Sequence, residues 1–143
     1  MNKIAYVFAG VIGMAASFAG ATAIPAGGQI TVVACPVLGE PVTLNFSKNV
    51  SAAYSCDDTT SNMRVATCHS GGSRKPLPVV CASADDGAGG VTWNAPGCTT
   101  NGATVTISNY RGYRSNNQGG VLGVYDLGGA CSAATADSVL TAQ

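Results

Sequence analysis

The chain has 143 residues, with seven basic and seven acidic side chains, one histidine and only 10% charged residues. That balance excludes a protein held on nucleic acid or another polyanion by net charge. The length is that of one domain.

The first residues read as a leader rather than as part of the fold. Met1, Asn2 and Lys3 form a short basic start, residues 4–18 are an apolar run, and Ala21-Thr22-Ala23 has the small-x-small pattern of a signal-peptide cut. The expected division is a secretory signal peptide over 1–23 and a single secreted β domain over 24–143. Losing Lys3 leaves six basic against seven acidic residues. No later apolar run reaches the roughly 18 residues that a spanning helix needs, so no membrane span is expected in the mature chain. The expected location is extracellular or at the cell surface, by way of the periplasm if the source is bacterial.

In chain order, the mature sequence is β throughout. Pro25, Gly27 and Gly28 make a flexible joint, and residues 29–34 read as the first strand, with Ile30 and Val32 on one face. Further runs rich in Val, Thr, Ile and Tyr fall at 42–46, 50–55, 63–67, 77–82, 91–93, 103–108 and 121–127. Apolar and polar residues alternate in Val42-Thr43-Leu44-Asn45-Phe46 and in Thr104-Val105-Thr106-Ile107-Ser108, the mark of half-buried strands. Asp-, Ser-, Asn- and Gly-rich stretches at 57–62, 70–73, 85–90 and 115–120 are loops. Residues 130–143 have helix-compatible composition and read as a short helix, a last strand or a frayed end. The expected fold is all-β: a disulfide-stabilised β-sandwich or small barrel of about 7–8 short strands.

Six cysteines, Cys35, Cys56, Cys68, Cys81, Cys98 and Cys131, all lie beyond the leader. An even number in an exported chain reads as three disulfides, and six thiols allow fifteen pairings among which sequence does not choose. The need for them follows from the core: after residue 23 only 29 side chains are Val, Ile, Leu, Met, Phe, Tyr or Trp. Each bridge offsets part of the folding entropy, by about 2 to 4 kcal/mol. No C-x-x-C pair occurs, so neither a metal site nor a cofactor is expected.

Catalytic sets are thin. His69 is the only histidine, and His69-Ser70-Gly71-Gly72-Ser73 sets hydroxyls beside it, but neighbours in sequence rarely form a nucleophile and base pair. Thr67-Cys68-His69 lacks the first thiol of a c-type haem attachment site, since Val65 stands in that position. Asp57-Asp58 and Asp85-Asp86 are adjacent pairs rather than the alternating oxygens of an EF-hand loop, and read as turn residues. The chain is not expected to be an enzyme.

The most distinctive chemistry lies at 109–118, where Tyr110, Arg111, Tyr113 and Arg114 alternate. If the strand starting at 103 continues, Tyr110 and Gly112 face one side and Arg111 and Tyr113 the other. Rings beside guanidinium groups could hold a protein or carbohydrate ligand; the alternative is that the tyrosines cover the core edge and the arginines pair with nearby acids. No nucleic acid is expected. Trp93 reads as a core residue, and Asn45 and Asn49 carry N-glycosylation spacing, relevant only in a eukaryotic secretory pathway.

The layout, with an apolar strand running into Cys35, is similar to that of fimbrial and spore-coat-like subunits of bacterial surfaces. The alternating C-terminal strand that closes on a near-terminal aromatic in such subunits is missing from 136–143, and no family is named on layout. The first functional expectation is a secreted, disulfide-bonded structural or surface-assembly subunit, fimbrial, filament or coat-like, that pairs with its own copies through the N-terminal strand at Ile30 and Val32. The second is a secreted binding module or inhibitor that uses its loops and the Tyr110, Arg111, Tyr113 and Arg114 segment.

Overall fold

The computed structural model describes residues 21–25, 27–85, 89–118 and 121–141. Most of the expected leader, the middle of the 85–90 loop with Asp86, and the last residues of the 115–120 loop and of the tail lie outside them.

The framework is a long hairpin. Strand β4 (Val50–Asp57) and strand β5 (Asn62–His69) pair antiparallel from Val50↔His69 to Asp57↔Asn62. Their turn is closed by Asp57, whose carboxylate accepts from the Thr59 N–H at 2.9 Å and the Thr60 hydroxyl at 2.8 Å. This is the local side-chain chemistry expected of an Asp-Thr-Thr-Ser turn. Strand β1 (Thr22–Ile24) adds to β4, β10 (Arg111–Asn116) to β5, and β11 (Gly123–Asp126) to β10, giving a five-stranded antiparallel sheet in the order β1-β4-β5-β10-β11.

Directly opposed residues share a face of an antiparallel sheet. The pairs Ala53↔Ala66, Ala66↔Arg114, Cys68↔Gly112 and Gly112↔Tyr125 therefore define one face, on which Ala53, Ala66, Cys68 and Gly112 are small and Arg114 and Tyr125 are large. Helix α1 (Ala133–Thr141) lies against it and buries Ala136, Val139 and Leu140. Gly112 permits that approach, because a Cβ there would lie 2.6 Å from Leu127 Cδ2 and 3.1 Å from Val139 Cγ2. The helix starts where Ser132 and Thr135 cap each other: Ser132 Oγ accepts from the Thr135 N–H at 3.2 Å and Thr135 Oγ1 accepts from the Ser132 N–H at 2.9 Å. This is a capping box with threonine in place of the usual Glu or Gln.

The opposite face carries a second core, in which Ala52 and Tyr54 pack with Ile24, Ile30 and Cys35. A short ribbon of β2 (Gln29–Ile30) and β3 (Val42–Thr43) belongs to the chain that folds over this face. A third core forms around Cys81, Ala95, Cys98 and Ile107. It is built from two ribbons, β6 (Leu77–Val80) with β9 (Thr104–Ile107) and β7 (Ser83–Asp85) with β8 (Val91–Trp93). Contact with the main sheet runs through β11, where the Val124 N–H donates to the Asn94 carbonyl at 2.7 Å and the Tyr125 hydroxyl to the Trp93 carbonyl at 2.9 Å.

The three disulfides are Cys35–Cys56, Cys68–Cys131 and Cys81–Cys98, and no described cysteine is free. One bridge sits in each core. Each cluster is too small to hold its segments by burial alone, and the bridge supplies the missing constraint.

The β-rich, disulfide-linked character is as the sequence led one to expect, with more and shorter strands than the seven or eight anticipated. Eleven are seen among the described residues. The strand expected over 29–34 stops at Ile30, because the Ala34 and Cys35 amides turn back onto the Thr31 carbonyl at 3.1 and 2.9 Å. The strand at 103–108 does not run on into 109–118. Asn109 adopts φ 63°, and β9 and β10 belong to different sheets. The tail is a helix, β1 takes in Thr22 and Ala23 of the expected leader, and β7 and β10 run into the expected loops at Asp85 and at Ser115 and Asn116.

Candidate functional site

The four candidate residues on β10 and its approach separate into different roles. Tyr110 packs at the margin of the core under α1, with the Arg74 guanidinium 4.3 Å from its ring centroid. Arg111 reaches along the surface and donates to the Ser73 carbonyl at 2.8 Å and the Lys75 carbonyl at 2.9 Å, tying down the loop after β5. Tyr113 is 39% exposed on the face opposite the helix.

Arg114 is inside, at 7% exposure. Its guanidinium donates to the Val139 carbonyl at 3.0 Å and to the Tyr125 hydroxyl, and lies 4.3 Å from the Tyr125 ring centroid. From β5, Arg64 donates to the Leu140 carbonyl at 3.3 Å. Two sheet arginines therefore meet the last carbonyls of α1, where the helix dipole favours positive charge. Burial pushes the Tyr125 phenol above its ordinary range, with Arg114 pulling partly the other way. Burial also lowers the Arg114 guanidinium from its usual value, though a guanidinium stays charged at any ordinary pH.

The other end of β10 is equally committed. Asn117 accepts from the Met63 N–H at 2.9 Å and donates to the Ser61 carbonyl at 3.0 Å, and Gln118 donates to the Thr60 carbonyl at 2.7 Å. The amides thus clamp the β4–β5 turn.

A cavity of about 230 Å³ opens where the β4–β5 hairpin meets the end of α1, lined by Ser55, Asp57, Asn62, Arg64 and Leu140 among others. Asn62 is 7% exposed, and its side-chain oxygen has no hydrogen-bond partner. Hydroxyl, carboxylate, amide and guanidinium groups therefore stand together around a space suited to a small polar molecule. Sequence reasoning missed this set, because Ser55 and Arg64 lie on two strands and converge only through the Ser55↔Arg64 register.

Ile30, expected at an assembly surface, is 1% exposed in the second core, while Val32 lies in a turn at 38% exposure. His69 uses Nδ1 to accept from the Gly71 N–H at 2.9 Å, a bond internal to its turn. Asn45 and Asn49 are both exposed. Among the described residues no group of three or more His, Cys, Asp or Glu is placed to hold a metal ion, and no helix is long and apolar enough to cross a membrane.

Comparison with known protein families, with curated proteins and with solved structures finds no match in any of the three.

Proposed function

We propose that the protein is an exported, non-catalytic structural subunit that assembles outside the cytoplasm through strand edges. Three intramolecular disulfides are typical of chains that fold in an oxidising compartment, which supports export. The five-stranded sheet and the β6–β9 and β7–β8 ribbons are read as the two layers of a small sandwich. The observation that carries assembly is on those ribbons: Val80 and Val91 are 62% and 60% exposed there, although the Asn94 amide donates to the Val80 carbonyl at 2.9 Å along that edge. Exposed aliphatic side chains on such short ribbons favour contact with another chain.

Assembly through residues 29–33 is a less economical route, because Gln29 and Ile30 would have to leave β3 and empty the second core. Light scattering of the oxidised protein over a range of concentrations tests the proposal. Val80→Lys with Val91→Lys should leave the fold and disulfides intact and abolish concentration-dependent growth. A wild-type protein that stays monomeric at every concentration would remove the structural-subunit reading.

The second reading, a small secreted binding module, is favoured by the cavity, whose lining includes Ser55, Asp57, Asn62 and Arg64. Titration with a panel of monosaccharides, followed by backbone amide shifts of residues 55–64, tests it. Unmoved shifts at millimolar sugar would count against a carbohydrate ligand.

A further inference from the structure

We infer that the leader is removed upstream of strand β1, so that the mature chain begins no later than Thr22. This inference rests on the export proposed above and corrects the cut expected after Ala23. Three small-x-small sets lie close together, Ser17-Phe18-Ala19, Ala19-Gly20-Ala21 and Ala21-Thr22-Ala23, and local sequence alone does not rank them.

The fold does rank them. Thr22, Ala23 and Ile24 pair with Tyr54, Ala53 and Ala52 along the outer edge of β4. A cut after Ala23 would remove two of these three residues, leaving the middle of β4 uncovered at the sheet edge. It would also place a new α-ammonium on Ile24, which is 7% exposed in the second core and would lose the strand that positions it. Ala21, just before β1, packs against the core under α1. A cut after Ala21 keeps the whole of β1, and a cut after Ala19 keeps Ala21 as well. In either case the reaction is hydrolysis of one peptide bond by a leader peptidase of the host. Water supplies the hydroxyl to the departing carboxyl end and the hydrogen to the new amine.

The test expresses the full chain in a secreting host and identifies the first residue of the exported protein by intact mass and terminal-peptide sequencing. Thr22 or an earlier residue, with the preceding leader gone, supports the inference. Ala23 or any later start overturns it while leaving export standing. An uncleaved chain that begins at Met1 overturns both.

Ala23→Leu separates the sites directly. It ruins the small residue at the Ala23 cut and leaves the two upstream sets intact, so processing should continue unchanged; accumulation of the uncleaved precursor would overturn the inference. As a physical check, oxidised chains starting at Thr22 and at Ile24 should differ in Tm, with the shorter chain melting lower. Equal melting would remove the structural ground for the ranking.

Discussion

At the scale of single residues, Arg114 and Gly112 show how a position that resembles a binding surface can instead be internal architecture. Arg114 occupies a strand position facing α1, with the helix-end carbonyls and the Tyr125 hydroxyl as its acceptors. Arg114→Ala should leave those groups buried without a donor and cost about 2 to 4 kcal/mol, read as a lower denaturant midpoint. Tyr113→Ala, on the opposite and open face, should change stability by less than about 1 kcal/mol. Gly112→Ala should destabilise by about 1 to 3 kcal/mol through overpacking, because Leu127 and Val139 already fill the space of the new methyl.

The same cluster sets the response to alkali. The Tyr125 phenol is raised by burial, so the folded chain keeps its proton at a pH where the unfolded chain has lost it. The contribution to stability is complete below about pH 10 and falls as pH rises beyond it. Thermal melts from pH 8 to 11 check this: Tyr125→Phe should flatten the loss above pH 10, although it also removes the bond to Arg114.

At the scale of elements, α1 illustrates a helix held from both ends by different means. The Ser132 and Thr135 cap satisfies its start, Cys131 ties the preceding residue to β5, and Arg64 and Arg114 meet its last carbonyls. With nine residues, such a helix is too short to persist by itself. Ser132→Ala should therefore cost about 1 kcal/mol, the ordinary worth of a cap, measurable as a drop in Tm. The strands divide by the same logic. Strands β4 and β5 announce themselves through continuous Val, Ala, Tyr and Thr runs, whereas β1 and β7 are three residues each and exist because a neighbouring edge receives them.

At the scale of the whole molecule, three small cores with one disulfide apiece replace a single large one. The bridges span sequence separations of 21, 63 and 17 residues. In the chain-entropy account the longest loop restricts the unfolded state most, so opening Cys68–Cys131 should destabilise more than opening either of the others, by about 1 kcal/mol or less. Paired Cys→Ala variants, compared by urea unfolding, check the order. Non-reducing peptide mapping of the exported protein should recover the same three links with no alkylated thiol.

What the sequence determined by itself is what depends on short stretches of chain: β-forming runs, the turn residues between them, the even set of cysteines and the thin supply of large apolar side chains. These are legible because propensity, alternation and turn chemistry act over a few neighbouring residues. The alternation expected over 109–118 holds only inside β10, with Gly112 on one side and Arg111 and Tyr113 on the other, because the strand from 103 on which it was conditioned breaks at Asn109. Only the tertiary structure decided which side α1 would cover, and with it that Arg114 is an internal prop and Tyr113 an open ring. It also chose one cysteine pairing among fifteen, brought Ser55, Asn62 and Arg64 around a cavity, and drew Thr22 into the sheet. Those outcomes depend on contacts between residues tens of positions apart, such as Arg114 with Val139 or Cys68 with Cys131, and no local pattern encodes which distant partner arrives.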